Sequence, residues 1–236
     1  MVKLDPIQNK RTLYGRRVGR PLKPKQKDVL EHLLPVLGID PHLLSEDHTL
    51  DPSILFGVTP EKLTFEIGFG NGEHLFGLIE QDPHTHYIGA EPYINGMASF
   101  LKNIEPAHHE HVCVWMEDAL KIAKSLKPNT IDILYVLNPD PWPKTRHHKR
   151  RIISQVNLDF FATILKPQGQ LVMSTDVDDL AEWMVTQASN HPAFTWQAQN
   201  KNDWKKPPDG WIQTRYEQKG TELGRQETYL VFSKTS

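Results

Sequence analysis

The stretch "KLTFEIGFGNGEHLFGLIEQD", residues 62–82, decides the fold. Residues 62–69 are rich in apolar and β-forming side chains and read as a strand. Gly68, Gly70 and Gly72 make a turn, and 72–82 has the apolar spacing of a helix. Working outward, the same unit recurs. "HYIGAEP" (86–92) and "INGMASFLKNIE" (94–105) form a second strand and helix, "HVCVWMED" (111–118) and residues 119–126 a third. "IDILYVLNP" (131–139) is nearly all apolar, as a strand buried on both faces must be. An amphipathic helix at 152–165, a turn at "KPQGQ", a strand at 170–176 and a helix at 177–190 continue the pattern. Repeated alternation predicts an α/β fold with a mostly parallel, doubly wound sheet. "FTWQAQ" (194–199) and "ETYLVFSK" (227–234) are separated by a polar stretch that reads as loop, so they are expected to close the sheet as an antiparallel pair.

Upstream, Gly15, Gly19, Pro21 and Pro24 break any helix, so residues 1–25 are expected to be a flexible basic arm. Residues 26–236 are expected to be a single domain, opening on a helix at 26–39 that Pro35 interrupts and a largely irregular stretch at 40–62.

Composition excludes several classes. Of the 236 residues, 38% are hydrophobic and 24% charged, the balance of a globular protein with a real core. No apolar run is long enough to span a bilayer, and the N-terminus lacks the apolar segment of a secretory signal. One cysteine, Cys113, allows no internal disulfide, which fits a cytoplasmic setting. The histidines lack zinc-site spacing, so no metal is expected. Net charge is −2, but positive charge is segregated. One cluster is Lys10, Arg11, Arg16, Arg17, Arg20, Lys23, Lys25 and Lys27, with no acid among them; the other is Lys144, Arg146, Lys149, Arg150 and Arg151. Two such clusters on a near-neutral chain predict a polyanion partner.

In open α/β sheets, ligands sit beyond the carboxyl ends of the strands. Those ends all carry acids here: Glu66, Glu91, Glu117 with Asp118, Asp140, and Asp176. One such acid is ordinarily a helix cap or a turn residue. Acids at all five ends of one rim would crowd like charges, which is costly unless something compensates. Glu73 stands where a dinucleotide fingerprint wants Gly or Ala, and Glu66 and Glu73 would repel a pyrophosphate. The glycines, Gly68 and Gly70 foremost, instead suit close approach by a cationic nucleoside without phosphates. S-adenosylmethionine matches, with Glu91 placed for the ribose hydroxyls and Asp118 for the adenine amine.

The run "LNPDPWPKTRHHKRR", residues 137–151, is the second unusual stretch. Pro139 and Pro141 stiffen the chain as it leaves a strand, which suits a site that must hold Asp140 in one orientation. "PDPWPK" with its basic tail resembles the bacterial tRNA (guanine-N7-)-methyltransferase family, whose members are Rossmann-like class I S-adenosylmethionine enzymes. "EIGFGNG", "IGAEPYINGM", "STDVDDLAEWM" and "TRYEQKG" resemble that family's other motifs in order, over roughly residues 60–234. The resemblance implies transfer of a methyl group to N7 of a variable-loop guanosine in tRNA. It implies Glu66, Gly68, Gly70, Glu91, Asp118 and Asp140 as cofactor ligands, with Asp140 also at the catalytic position. Lys144, Asp176, Thr214, Arg215, Tyr216 and Glu217 would contact substrate, and Arg146, His147, His148, Lys149, Arg150 and Arg151 would contact RNA. Asn138 and Pro92 depart from the family's usual residues. No obligate protein partner is expected, and neither oligomeric state nor preferred tRNAs can be read from the residues.

Guanine N7 carries no proton, so attack on a methyl group needs alignment and exclusion of water rather than a general base. Asp140 or Asp176 is placed to accept from the N1–H and N2 amine edge that distinguishes guanine from adenine. Trp142, Trp211 or Tyr216 could stack on an unstacked base. Three rivals remain open. A nicotinamide dehydrogenase conflicts with Glu73, a methyltransferase acting on a small molecule or protein leaves both basic clusters unexplained, and a non-catalytic RNA-binding module does not explain the acids; a methyltransferase acting on another RNA is the alternative within the same reading.

Overall fold

The computed structural model describes residues 13–235; Lys10 and Arg11 of the first basic cluster lie outside the described residues. Seven strands, β1 (Leu63–Ile67), β2 (His86–Ala90), β3 (Val112–Trp115), β4 (Ile131–Leu137), β5 (Leu165–Thr175), β6 (Phe194–Trp196) and β7 (Thr228–Lys234), form one sheet in the order β3-β2-β1-β4-β5-β7-β6. The first five pair in parallel. β7 lies antiparallel between β5 and β6, so the expected closing pair is present with β7 as its inner strand.

Side-chain alternation on the strands builds two cores, one on each face. On β2, Tyr87 points into one core and Ile88 and Ala90 into the other; on β3, Val112 and Val114 oppose Cys113 and Trp115. One face is covered by α1 (Pro24–His32), α2 (Leu34–Leu37), α4 (Glu73–Gln81) and α5 (Ile94–Leu101), which contribute Leu37, Leu75, Ile79, Met97 and Phe100. The other is covered by α6 (Ala119–Ser125), α7 (Gln155–Ile164) and α8 (Asp178–Ser189), which contribute Leu120, Ile122, Leu158, Phe161, Leu180 and Met184. Each such fully buried side chain is worth about 1.5–3 kcal/mol. Cohesion therefore lives on the faces, and the carboxyl rim is left for function.

Three stretches differ from expectation. In the segment read as irregular, α3 (Pro52–Phe56) forms because Asp51 accepts from Ser53 N at 2.9 Å and Pro52 presets the first turn. In the segment read as loop, α9 (Asn202–Lys205) and α10 (Arg215–Glu222) form. "KPQGQ" is a bulge within β5: Ile131 pairs with Leu165 and Ile133 with Gln170, and Gln168 takes φ +64° to carry the excess chain. The strand order reverses between β1 and β4, which opens a crevice at their carboxyl ends.

Candidate functional site

That crevice holds a cavity of about 330 Å³ lined by Ile67, Gly68, Glu91, Glu117, Asp118, Asn138, Asp140 and their neighbours. Gly68 turns out of β1 at φ +74°, a conformation costly for any other residue, and its N–H donates to Ala90 O at 2.7 Å. Open space lies where a side chain would project from it. Glu91 is buried, and its two oxygens accept from Gly70 N and Tyr93 N, each at 2.7 Å. Burial outweighs those hydrogen bonds and pushes its carboxyl up to about 7, with Asp140 and Glu66 adding repulsion. Asp118 caps α6 by accepting from Leu120 N at 3.0 Å while lining the cavity. Asp140 is exposed as a residue, yet the cavity walls withdraw its carboxyl from water enough to raise its pKa.

Glu66 does not line the cavity. It lies beneath, 3% exposed at the side chain, and accepts from or donates to His74 Nδ1 at 2.8 Å according to their protonation. Gly70 likewise contributes through its N–H to Glu91 rather than by lining the wall.

The Pro-Asp-Pro-Trp corner is strained. Asn138 and Trp142 take φ +46° and +44°, left-handed conformations that cost on the order of 1–3 kcal/mol each. Asn138 N donates to Ser174 O at 2.9 Å, and Arg151 Nε donates to Pro141 O at 2.9 Å. Arg151 is 1% exposed at the side chain, pairs with Asp179 and lies 5.1 Å from the Trp183 ring. The expectation that Arg151 contacts RNA is therefore corrected: a guanidinium enclosed in this way pins the corner and cannot reach a phosphate.

Arg150 is also drawn inward. Its guanidinium lies 4.3 Å from the Tyr14 ring and 4.9 Å from Trp142, and it lines the cavity. Tyr14, Gly15 and Arg16 form the opposite lip, so residues 13–23 run along the site. Arg17 O accepts from Ile94 N at 3.0 Å, and Asn95 bridges Gly19 N and Arg20 O. A Cβ on Gly15, at φ +111°, would sit 3.2 Å from Asp140 Oδ2. Sequence reasoning missed this lip; the available signal was an aromatic-glycine pair inside a basic run.

Lys144, Arg146 and Lys149 are exposed, and His147 and His148 half-buried, around the short 3₁₀ turn Thr145–Arg150. Asp176 lies next to the cavity, not in it. Its side chain is 2% exposed, Arg225 Nη1 lies 2.5 Å from Oδ2, and Tyr216 OH donates to Oδ1 at 3.2 Å. Thr214 and Glu217 bond each other's backbone as a reciprocal cap on α10, a Thr-x-x-Glu signature visible in the sequence. Glu217 also accepts from Trp211 Nε1 at 3.0 Å, and Arg215 is held by Glu73 through backbone and side chain. Arg215 and Tyr216 remain exposed. Among the described residues, no three His, Cys, Asp or Glu side chains are grouped to hold a metal ion, and no helix is long and apolar enough to cross a membrane.

A family model described as "Putative methyltransferase" matches residues 60–230. A tRNA (guanine-N(7)-)-methyltransferase of Rhizobium meliloti is 42% identical over 94% of each chain, and one of Azorhizobium caulinodans is 38% identical over 99% of this chain and all of its own. Among solved structures, the 16S rRNA methyltransferase KamB superposes with a TM-score of 0.54 at 13% identity, covering 81% of this chain and 96% of its own, a likeness of fold alone. With a sheet of this order, a glycine turn opening onto acids at successive strand ends, and relatives this similar over nearly the whole chain, the protein belongs to the tRNA (guanine-N7-)-methyltransferase family.

Proposed function

We propose that the enzyme transfers a methyl group from S-adenosylmethionine to N7 of a guanosine in tRNA, with the crevice between β1 and β4 as the cofactor pocket. The carrying observation is the convergence of Glu91, Asp118 and Asp140 on one cavity floored by glycine backbone. This donor set fits the methyl donor: acceptors for ribose hydroxyls and an amine, net negative charge for a cation, and no phosphate cradle. When bound, S-adenosylmethionine supplies an electrophilic methyl carbon.

The chain's own residues do the rest. Glu91 takes the ribose hydroxyls on lone pairs its two backbone donors leave over, and Asp118 takes the adenine amine. Gly68 admits the ligand close to the backbone. Asp140, fixed by the proline corner, orients the reacting groups and balances the positive charge that passes from donor to base. Tyr14, Trp142 and Arg150 cover the cavity mouth and keep water away from the transfer. Lys144, Arg146, His147, His148 and Lys149 offer a cationic shelf for phosphates, which positions RNA without reading its bases. The free buried thiol of Cys113 accords with action in the cytoplasm, where tRNA is found.

The test is mass spectrometry of nucleosides from tRNA incubated with enzyme and methyl donor. Wild type yields 7-methylguanosine; Asp140→Asn, with an unchanged circular dichroism spectrum, yields at most a few per cent of it. Near-wild-type product from Asp140→Asn would remove Asp140 from the mechanism, and methylation at any other atom would overturn the function.

A further inference from the structure

Beside the cofactor cavity, the carboxyl ends of β4, β5 and the start of β7 enclose a second group of acceptors. Thr175 pairs with Thr228, so Asp176 and Glu227 face each other across the end of that ladder. Leu137 pairs with Ser174, which brings Asn138 alongside. Asn138 is shared: it also lines the cofactor cavity. Asn138 Oδ1 and Glu227 Oε1 are both buried and, among the described residues, accept no hydrogen bond. Two neighbouring orphaned acceptors are costly in a folded protein, each by on the order of 1–3 kcal/mol, unless something brings donors to them. The site holds them at a further cost, because Asn138 is kept in a left-handed conformation.

Asp176, the acid expected here from sequence, is engaged. Arg225 neutralises it and Tyr216 donates to it. Arg225 also feels the charge of Glu227, but among the described residues Glu227 forms no ion pair of its own. Burial raises its carboxyl to about 7; the Ser174 and Asn138 side chains work against that rise, while Glu217 and Asp176 add to it. Asn138, which lines the methyl-donor pocket, links Glu227 to it, and a target base must lie beside that pocket.

We propose that Glu227, seconded by the Asn138 side-chain carbonyl, reads the N1–H and N2 amine edge of the target guanine. This rests on the function proposed above. Guanine offers two adjacent donors to match two adjacent acceptors. Adenine has neither an N1–H nor an N2 amine, so it would leave both acceptors without the donors guanine brings. As N7 becomes quaternary, positive charge spreads over the purine and the N1–H becomes a stronger donor, so the Glu227 contact tightens toward the transition state and adds to rate as well as selection.

The experiment compares a tRNA carrying guanosine at the target position with one carrying inosine, which lacks the N2 amine, for wild type and Glu227→Gln. Wild type should lose about 10- to 100-fold in kcat/KM on inosine, the loss expected when a charge-assisted hydrogen bond has no donor. Glu227→Gln should lose a similar factor on guanosine, largely in kcat, and show little further loss on inosine. Its affinity for S-adenosylmethionine should be unchanged, which also shows that the variant is folded. Should Glu227→Gln keep the full wild-type preference for guanosine over inosine, the proposal is overturned, whatever its overall rate. Asn138→Ala gives an independent arm, with partial loss of the same discrimination expected and none refuting the carbonyl's share. Absence of 7-methylguanosine with wild type would instead sink the underlying function, so the two failures are distinguishable.

Discussion

Replacing Arg151 by Met separates a structural arginine from an RNA-binding one within a single basic run. Three contacts are lost. Pro141 O loses its 2.9 Å donor, and an orphaned carbonyl of this kind costs about 1–3 kcal/mol. The guanidinium 5.1 Å from the Trp183 ring contributes about 0.5–2 kcal/mol. The ion pair with Asp179 adds at most about 1 kcal/mol, because the Asp179 side chain is 65% exposed and regains water when released. Methionine refills most of the volume of the aliphatic stem, so the net loss is about 3 kcal/mol, or a fall in Tm of roughly 6–12 °C for a chain of this size. Scanning calorimetry reads that number directly. Filter binding of tRNA at several salt concentrations reads the other. Arg151→Met should leave the slope of log affinity against log salt unchanged, whereas Lys149→Gln should lower its magnitude by about 0.9 with little change in Tm. A thermally neutral Arg151→Met that flattens the salt slope would refute this account, because it would mean the side chain reaches phosphate.

Two further outcomes follow from the site. The folded-state pKa of Glu91 is raised to about 7 from an ordinary 4.5, so between those values the native state holds a proton that the unfolded state has released. The Glu91 contribution to stability should therefore fall as pH rises through that window, by on the order of 3 kcal/mol. Urea unfolding at pH 5 and pH 8 measures the fall; Glu91→Gln should show a clearly smaller one, and an identical pH dependence would contradict the buried-carboxylate description. Thr214→Ala removes the side-chain cap on α10 and should cost about 1 kcal/mol, with Thr214→Ser restoring it; a loss of kcat/KM that Thr214→Ser does not restore would give Thr214 a direct substrate contact instead.

What could be read ahead of the structure was whatever is periodic or local. β1 to β4 announce themselves because their residues are mostly apolar, and an acid stands at or within a few residues of each carboxyl end. The same logic placed Glu91, Asp118 and Asp140 at one cavity. α10 was hidden because its residues "RYEQKGTE" carry no apolar stripe; it is held by the Thr214–Glu217 cap and by Glu73 from a turn far away in sequence. Arg151 was indistinguishable from Lys149 in a run of like charges, since its partners Trp183 and Asp179 lie on α8, far away in sequence. Gly15 and Tyr14 looked like arm because the features that fix them, Asp140 and Arg150, belong to the corner they cover.

The crowding of acids at the rim is resolved differently from the simple expectation of carboxylates at five strand ends awaiting one cation. Glu66 is paired below the floor with His74, and Asp176 is paired next door with Arg225. Glu91 has two backbone donors and a pKa near neutrality, so part of its charge is relieved by a proton. Among the described acids, only Glu91, Glu117, Asp118 and Asp140 face the cavity, and Arg17 lies 3.9 Å from Glu117. The fold can therefore hold itself together before any ligand arrives. The cationic donor then meets a modest negative field rather than an unstable one, and loss of its positive charge on methyl transfer weakens its attraction to that field, which favours release of the spent cofactor over retention.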